Sequence, residues 1–400
     1  MRVPHPFAGL PREVAVLTAV AFAVAVGFGV VAPALPIFAR YFGVGEMAAG
    51  AVISAFAFMR LVFALSSGKL VNRIGERLVL AVGIGIVAVS SLLAGFAQSY
   101  TQLLLLRGIG GVGSAMFTVS AVSLLLRVVG PDQRGRATGM WQAGFLFGAI
   151  MGPAIGGPLT EISLRAPFFV YAVTLAAAGS IAMLFLVHTP LHERQDQGTT
   201  ATTTLPEALR VSGYRAALAT NLGAGWALFG VRSSLVPLFV TEAIGASATW
   251  VGIGFFVSAA TQGAALGPAG RWTDETGRRP AMIAGTALST LAMGSLAVSQ
   301  SLAVYTFAMA VFGVGSALMS VAPSAAVGDV AHGRGGTVVA AWQMAADLGA
   351  VVGPLAAGYL AEDFSYGAAF GLTTGILAFG LVAAVVSKET KPRPADIAPT

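Results

Sequence analysis

Four ionisable side chains, Arg60, Arg107, Arg232 and Asp347, stand inside long apolar runs of this 400-residue chain. Each costs roughly 2.5 to 3.5 kcal/mol at the centre of a bilayer on an insertion scale, so each must line a cavity or pair. A carboxyl group in an apolar setting holds its proton when alone and releases it beside a guanidinium. An acid that alternately meets and leaves an arginine therefore carries protons. A membrane-embedded enzyme would need converging nucleophiles, bases or metal ligands, and one aspartate does not provide them. His5, His188, His192 and His332 all fall in polar segments without ligand spacing. The "GIGGVG" run, Gly108 to Gly113, sits inside an apolar stretch with no preceding strand, so it is no phosphate loop.

The elements that must position these charges are membrane helices. The chain is 56% hydrophobic and 10% charged, with a mean hydropathy of +0.81, against about 25% charged residues in a soluble domain. Twelve apolar runs long enough to cross a bilayer are predicted, at 14–39, 48–70, 77–97, 101–127, 136–160, 166–187, 215–241, 248–272, 279–299, 302–327, 336–361 and 367–387. None alternates as a barrel strand would. The first is too long for a signal peptide. There is no cysteine, which excludes disulfides and thiolate metal sites. Eighteen of the 23 Lys and Arg residues fall at the termini or in even-numbered loops, and only Arg40 and Arg165 on the other side. The positive-inside rule then makes both termini cytoplasmic, and the net charge of +6 is a topology signal with no bearing on nucleic acid.

The sequence divides into two bundles of six spans, 1–187 and 215–387, joined by a cytoplasmic linker, 188–214, and followed by a polar tail, 388–400, expected to be disordered. Within the linker, "LPEALR" is predicted to form a short surface helix. The bundles are duplicates. Trp141-Gln142 matches Trp342-Gln343, and Gly152-Pro153 matches Gly353-Pro354, each 201 residues on; "GVGSA" at Gly111 returns at Gly313, 202 residues on. Six spans per copy give both the same orientation, so an axis along the membrane normal can relate them.

Two six-helix halves, a central linker and the loop sequences together resemble the major facilitator superfamily over nearly the whole chain. "GKLVNRIGERL", Gly68 to Leu78, is similar to the family's loop motif after the second helix, with Gly68, Arg73, Gly75 and Arg77 in place and Asn72 where the family has an aspartate. "GRWTDETGRR" repeats it after the eighth helix, with Asp274, Gly277 and Arg278. "LLLLRGIGGVGSA" around Arg107 looks like the fourth-helix motif of proton-coupled members. "GFGVVAPALP", Gly27 to Pro36, resembles the first-helix motif of the twelve-span antiporters, and "GFLFGAIMGPAIGG", Gly144 to Gly157, the fifth-helix motif of drug and proton antiporters.

The resemblance implies an all-α membrane protein of twelve transmembrane helices in two pseudo-symmetric bundles, the major facilitator fold. It implies a proton-coupled exporter of small amphipathic organic molecules working by alternating access. The expected setting is the plasma membrane, with the lipid bilayer, protons and a small-molecule substrate as partners, no nucleic acid, a monomeric state and no cofactor beyond the proton gradient. Alternatives are an importer or exchanger of an anionic metabolite, suggested by the three arginines, and a non-transporting sensor. Arg60 and Asp347 each lie roughly 16 to 18 Å from a cytoplasmic helix end, on the second and eleventh helices, which pack together in the family. They are the expected coupling pair, with Arg107 tuning a neighbour. Arg232, Phe28, Asn221, Trp226, Gln262, Trp342 and Gln343 are the expected cavity lining. In the gating loop, the acid or amide at position 72 is expected to accept from N–H groups starting the eleventh helix near Gly336. Gly144, Gly148, Gly152 and Gly156, spaced by four, form a smooth stripe beside Pro153 and Gly157, expected to slide against the other half; Gly353 and Pro354 repeat its end.

Overall fold

A computed structural model describes residues 10–129, 133–186, 203–331 and 336–391. Among these, twelve helices are long and apolar enough to cross a membrane. The first runs Arg12–Val31 and continues, past a break at Ala32 and Pro33, as Ala34–Arg40. The second to sixth are Glu46–Ile74, Glu76–Gly95, Tyr100–Val128, Arg134–Ile162 and Ala166–Leu186. The seventh, Ser212–Ala243, contains two π-helical stretches, Gly225–Val231 and Phe239–Ala243. The eighth to twelfth are Ala248–Thr276, Arg278–Val298, Leu302–Val330, Gly336–Asp363 and Tyr366–Val386. The predicted linker helix is present at Leu205–Arg210, where Thr204 and Glu207 form a capping box.

The duplication extends to the backbone. Four glycines among the described residues have positive φ: Gly43 (76°), Gly75 (88°), Gly245 (73°) and Gly277 (112°). They form two pairs 202 residues apart. Gly43 and Gly245 follow the first and seventh helices; Gly75 and Gly277 make the turns between the second and third and between the eighth and ninth. Side chains other than glycine are strained there, so these turns fix where each helix stops.

The chain divides into two compact units. The first comprises Met1–Val44, Ala55–Asp196 and Ser247–Phe256; the second comprises Gly45–Ser54, Gln197–Ala246 and Val257–Thr400. This matches the repeat, except that the opening stretches of the second and eighth helices exchange units.

In the first unit the glycine stripe of the fifth helix packs against the first helix. A Cβ on Gly144 or Gly148 would press on the carbonyls of Thr18 or Phe22, at 2.5 and 2.6 Å, and Gly152 and Gly156 meet Val26 and Val30 in the same way. The expectation that these four glycines slide against the other half is thereby corrected. Their smooth face is spent on a neighbour in the same bundle, because a four-residue stripe serves any closely approaching backbone equally well. In the second unit Gly349 and Gly353 repeat the contact, facing Leu222 and Trp226 of the seventh helix.

Gly152→Val should force these two backbones apart and cost about 1 to 3 kcal/mol of stability. Gly139→Val, at a position with nothing within 4 Å, should be close to neutral. Thermal unfolding of the two variants in detergent compares them.

Candidate functional site

The fourth helix reaches the second at Gly111, where a Cβ would strike the Phe56 carbonyl and, at 3.0 Å, the Met59 side chain. Because the backbones come this close, the Phe56 ring lies over the Arg107 guanidinium, 4.4 Å from its carbon to the ring centroid. Arg107 is 2% exposed, and its Nε has no hydrogen-bond partner among the described residues. A ring face holds such a desolvated cation with about 2 kcal/mol. Phe28, on the first helix, extends the aromatic surface, 6.4 Å from both Phe56 and Tyr171 between ring centroids. Gly27 makes this possible, since a Cβ there would overlap Tyr171 and Thr174.

The second unit builds the same scaffold around different chemistry. Gly313 stands 202 residues after Gly111 and packs against the carbonyl of Ser258, itself 202 after Phe56. Here the arginine arrives from the seventh helix, and Arg232 Nη1 donates to Ser258 Oγ at 3.2 Å. Arg232 opens the α-helical stretch just beyond the Gly225–Val231 π-turn. A π-turn inserts residues into the helical period and so redirects the side chains beyond it. Equivalent positions 56 and 258 therefore each hold an arginine, from non-equivalent helices.

Other expected lining residues separate into two groups. Phe28 and Gln262 are half-buried and Gln343 is exposed. Asn221 and Trp226 are buried and committed to packing: Asn221 Nδ2 donates to the Trp342 carbonyl at 2.7 Å, and the Trp226 indole donates to Thr373 Oγ1 at 3.2 Å. These bonds tie the seventh helix to the eleventh and twelfth. Trp342 is half-buried against the alanine-rich core around Ala326 and Val338. Arg60, in the first unit, and Asp347, in the second, are both half-buried.

At the glycine turns, sequence reasoning missed the residues that hold the helix ends. Glu76, at the start of the third helix, accepts from Arg127 Nη1 at 2.6 Å. Residues 202 further on carry the opposite charges: Arg278 donates to Asp329 from Nε at 2.9 Å and from Nη2 at 3.3 Å. The inversion at two repeat-related positions was the available signal. Asp274 bonds Arg278 at 3.2 Å within its own turn. Arg73 is exposed and Gly68 has open space around it. The Asn72 side chain and residues 332–335 lie outside the described residues, and with them the expected contact to the eleventh helix.

The tail departs from expectation. Lys388–Lys391 straps the second unit, and the Glu389 carboxylate accepts the N–H groups of Arg278 and Arg279 at 2.9 and 3.0 Å, capping the ninth helix. Thr390 donates to Asp329 at 3.1 Å and Lys391 Nζ to the Glu275 carbonyl at 2.9 Å. Partial burial pushes the Glu389 carboxyl up, but bonds from the backbone of Lys391, Arg278, Arg279 and Thr390 outweigh it, leaving it below the usual carboxylate range. Only the remainder of the tail, 392–400, lies outside the described residues.

Comparison with known proteins joins these features. The Major Facilitator Superfamily model matches residues 17–236 and 218–400. The chain belongs to this family. Over 368 residues it is 27% identical to Multidrug resistance protein 1 of Bacillus subtilis, covering 90% of this chain and 92% of that one. It is 28% identical to the quinolone resistance protein NorA of Staphylococcus aureus over 179 residues, 45% of this chain and 46% of that relative's length. In structure, this superfamily member resembles a bacterial homologue of the human lysosomal transporter Spinster, with a TM-score of 0.75 at 15% identity, covering 94% and 96% of the two chains. It also resembles the nucleoside transporter NupG, with a TM-score of 0.73 at 15% identity over 93% and 99%. These likenesses establish the fold as that of the superfamily, whose members are transporters.

Glu76→Arg alone should cost about 2 kcal/mol, between the values for exposed and buried pairs. Adding Arg127→Glu, which installs the polarity found in the second half, should recover most of it in thermal unfolding. Because the Glu389 carboxyl is held low, its contribution is present above the unfolded value of about 4.3 and fades as pH falls through the folded value. Hydrogen exchange at the Arg278 and Arg279 amides should therefore be slow from neutral pH to about pH 5 and accelerate in Glu389→Ala.

Proposed function

We propose that this superfamily member is a proton-coupled exporter of small amphipathic organic molecules, working by alternating access in the plasma membrane with both termini cytoplasmic. The observation that carries the reading is the surface of Phe28, Phe56 and Tyr171 around the buried Arg107. Apolar and aromatic walls with a few fixed polar groups suit a cargo that is mostly apolar with one polar end. The match over nine-tenths of both chains to a relative named for multidrug resistance supports export. Asp347 is the proton carrier in this reading and Arg60 the charge that displaces its proton. Arg107 does not release its own proton and acts by setting the field around its neighbours. The proton gradient supplies the energy, the protein acts as a monomer, and no cofactor is called for.

The runner-up is uptake or exchange of an anionic metabolite. The arginines favour it: Arg107 is fully enclosed, and Arg232 is held by a neutral hydroxyl. A sensor without transport would show no flux of either kind.

Proteoliposomes carrying the full chain and an imposed pH gradient separate these readings. An amphipathic fluorescent dye should move against the proton flow, and its addition should drive proton movement. Asp347→Asn should abolish that coupling in folded, inserted protein, and unchanged coupling would contradict its role. Phe56→Leu should slow dye transport by about tenfold, the loss of a cation–ring contact of 1 to 2 kcal/mol, while Phe56→Tyr should keep it. Movement of an organic anion without the dye would favour the runner-up.

A further inference from the structure

We propose that Glu161 and Glu362 are a matched pair of latches, closing the helix ends expected to lie outside the cell, and that opening this end requires both to release. The proposal rests on the alternating-access reading above.

In the first unit, Glu161 stands one residue before the end of the fifth helix, and its Oε1 accepts the N–H of Thr249, in the first turn of the eighth, at 2.7 Å. The hydroxyls of Ser247 and Thr249 bond the same carboxylate. In the second unit, Glu362 stands one residue before the end of the eleventh helix, and its Oε2 accepts the N–H of Met47, in the first turn of the second, at 3.1 Å. Glu362 stands 201 residues after Glu161, and Thr249 stands 202 after Met47. The same bond is therefore made twice at repeat-related positions. Each carboxylate satisfies a backbone donor that a helix start leaves free and sets negative charge at the positive end of its dipole. Each also joins a helix of one repeat to a helix of the other.

Beneath the carboxylates the helices touch backbone to backbone. A Cβ on Gly157 would meet the Gly252 Cα at 2.9 Å, and one on Gly252 the Pro153 carbonyl at 2.5 Å. A Cβ on Gly358 would meet the Met47 Cα at 2.6 Å, and one on Gly50 the Pro354 carbonyl at 2.5 Å. These four contacts are again two pairs under the repeat. These contacts hold by close backbone packing alone, which has no directional bond of its own. The carboxylates at their rim, with Ser54 Oγ bonding the Val351 carbonyl at 2.7 Å in the second unit, supply the directional hold. The Gly-Pro motif thus has two faces: its stripe is fixed to the first helix, and the turn from Pro153 to Gly157 forms the joint.

The chain has no cysteine, so single probes can be placed directly. Ala49 and Val251, 202 residues apart and each 0% exposed, stand two residues beyond the latched N–H groups of Met47 and Thr249. Ala49→Cys and Val251→Cys in the reconstituted full chain are exposed to a membrane-impermeant maleimide, with Ala217→Cys, also 0% exposed, as a core control. Adding Glu161→Ala or Glu362→Ala, which removes the acceptor, should raise the labelling rate several-fold, about fivefold for a cap of ordinary strength, and the double variant more. Ala217→Cys should stay unreactive. Gly157→Leu, which wedges the joint, should raise labelling of Val251→Cys independently of the carboxylates. If Gly157→Leu raises labelling and the alanine variants do not, the latch is overturned and alternation stands. If no variant raises it, this end does not open, and both the latch and the alternating-access reading fall. If Ala217→Cys reacts in step with the probes, unfolding explains the labelling and the latch is overturned.

Discussion

A desolvated guanidinium has to be held by something, and how this protein holds two of them organises the rest of its structure. Arg107 sits under the Phe56 ring, and Arg232 reaches the Ser258 hydroxyl. The first depends on the fourth helix pressing on the second at Gly111, and beside the second the tenth helix makes the equivalent approach to the eighth at Gly313. Two glycines 202 residues apart thus repeat one backbone approach beside two different sites. The backbone contact is duplicated, and the side chains above it have diverged.

The same division recurs at the helix ends. Gly75 and Gly277 make equivalent turns, yet Glu76 and Arg127 on one side become Arg278 and Asp329 on the other. Reversing both charges keeps the attraction between helix ends and changes the field at that face. The second copy adds the Glu389 strap, which brings a carboxylate to the start of the ninth helix. These clamps tie the helix ends on either side of each glycine turn.

Twelve spans, the linker helix and the duplication were legible in the sequence because each has a local cause: about twenty apolar residues, a capping box, and a constant offset between motifs. Neighbours were harder to read. Spacing by four identifies a smooth helix face, but it does not say which backbone lies against it, and the stripe from Gly144 to Gly156 meets the first helix of its own bundle. A buried amide or indole must bond to something, but the partners of Asn221 and Trp226, the Trp342 carbonyl and Thr373, are more than 100 residues away and no local pattern names them. Arg232 and Ser258 meet after a π-turn that no residue pattern announces. The paired charges at 76, 127, 278 and 329 were available to a reading that compared the copies for inversions as well as identities.

In the proposed exporter the field of Arg107 acts from a fixed place because a planar cation is held by a ring, so transport depends on that stacking as well as on the charge. Arg107→Lys tests it most directly, since it keeps the charge and removes the flat group that stacks. In proteoliposomes with an imposed pH gradient, with thermal unfolding measured in parallel, the variant should fold and its dye transport should fall about tenfold or more. Transport at the unsubstituted rate would mean that charge alone suffices, and would contradict it.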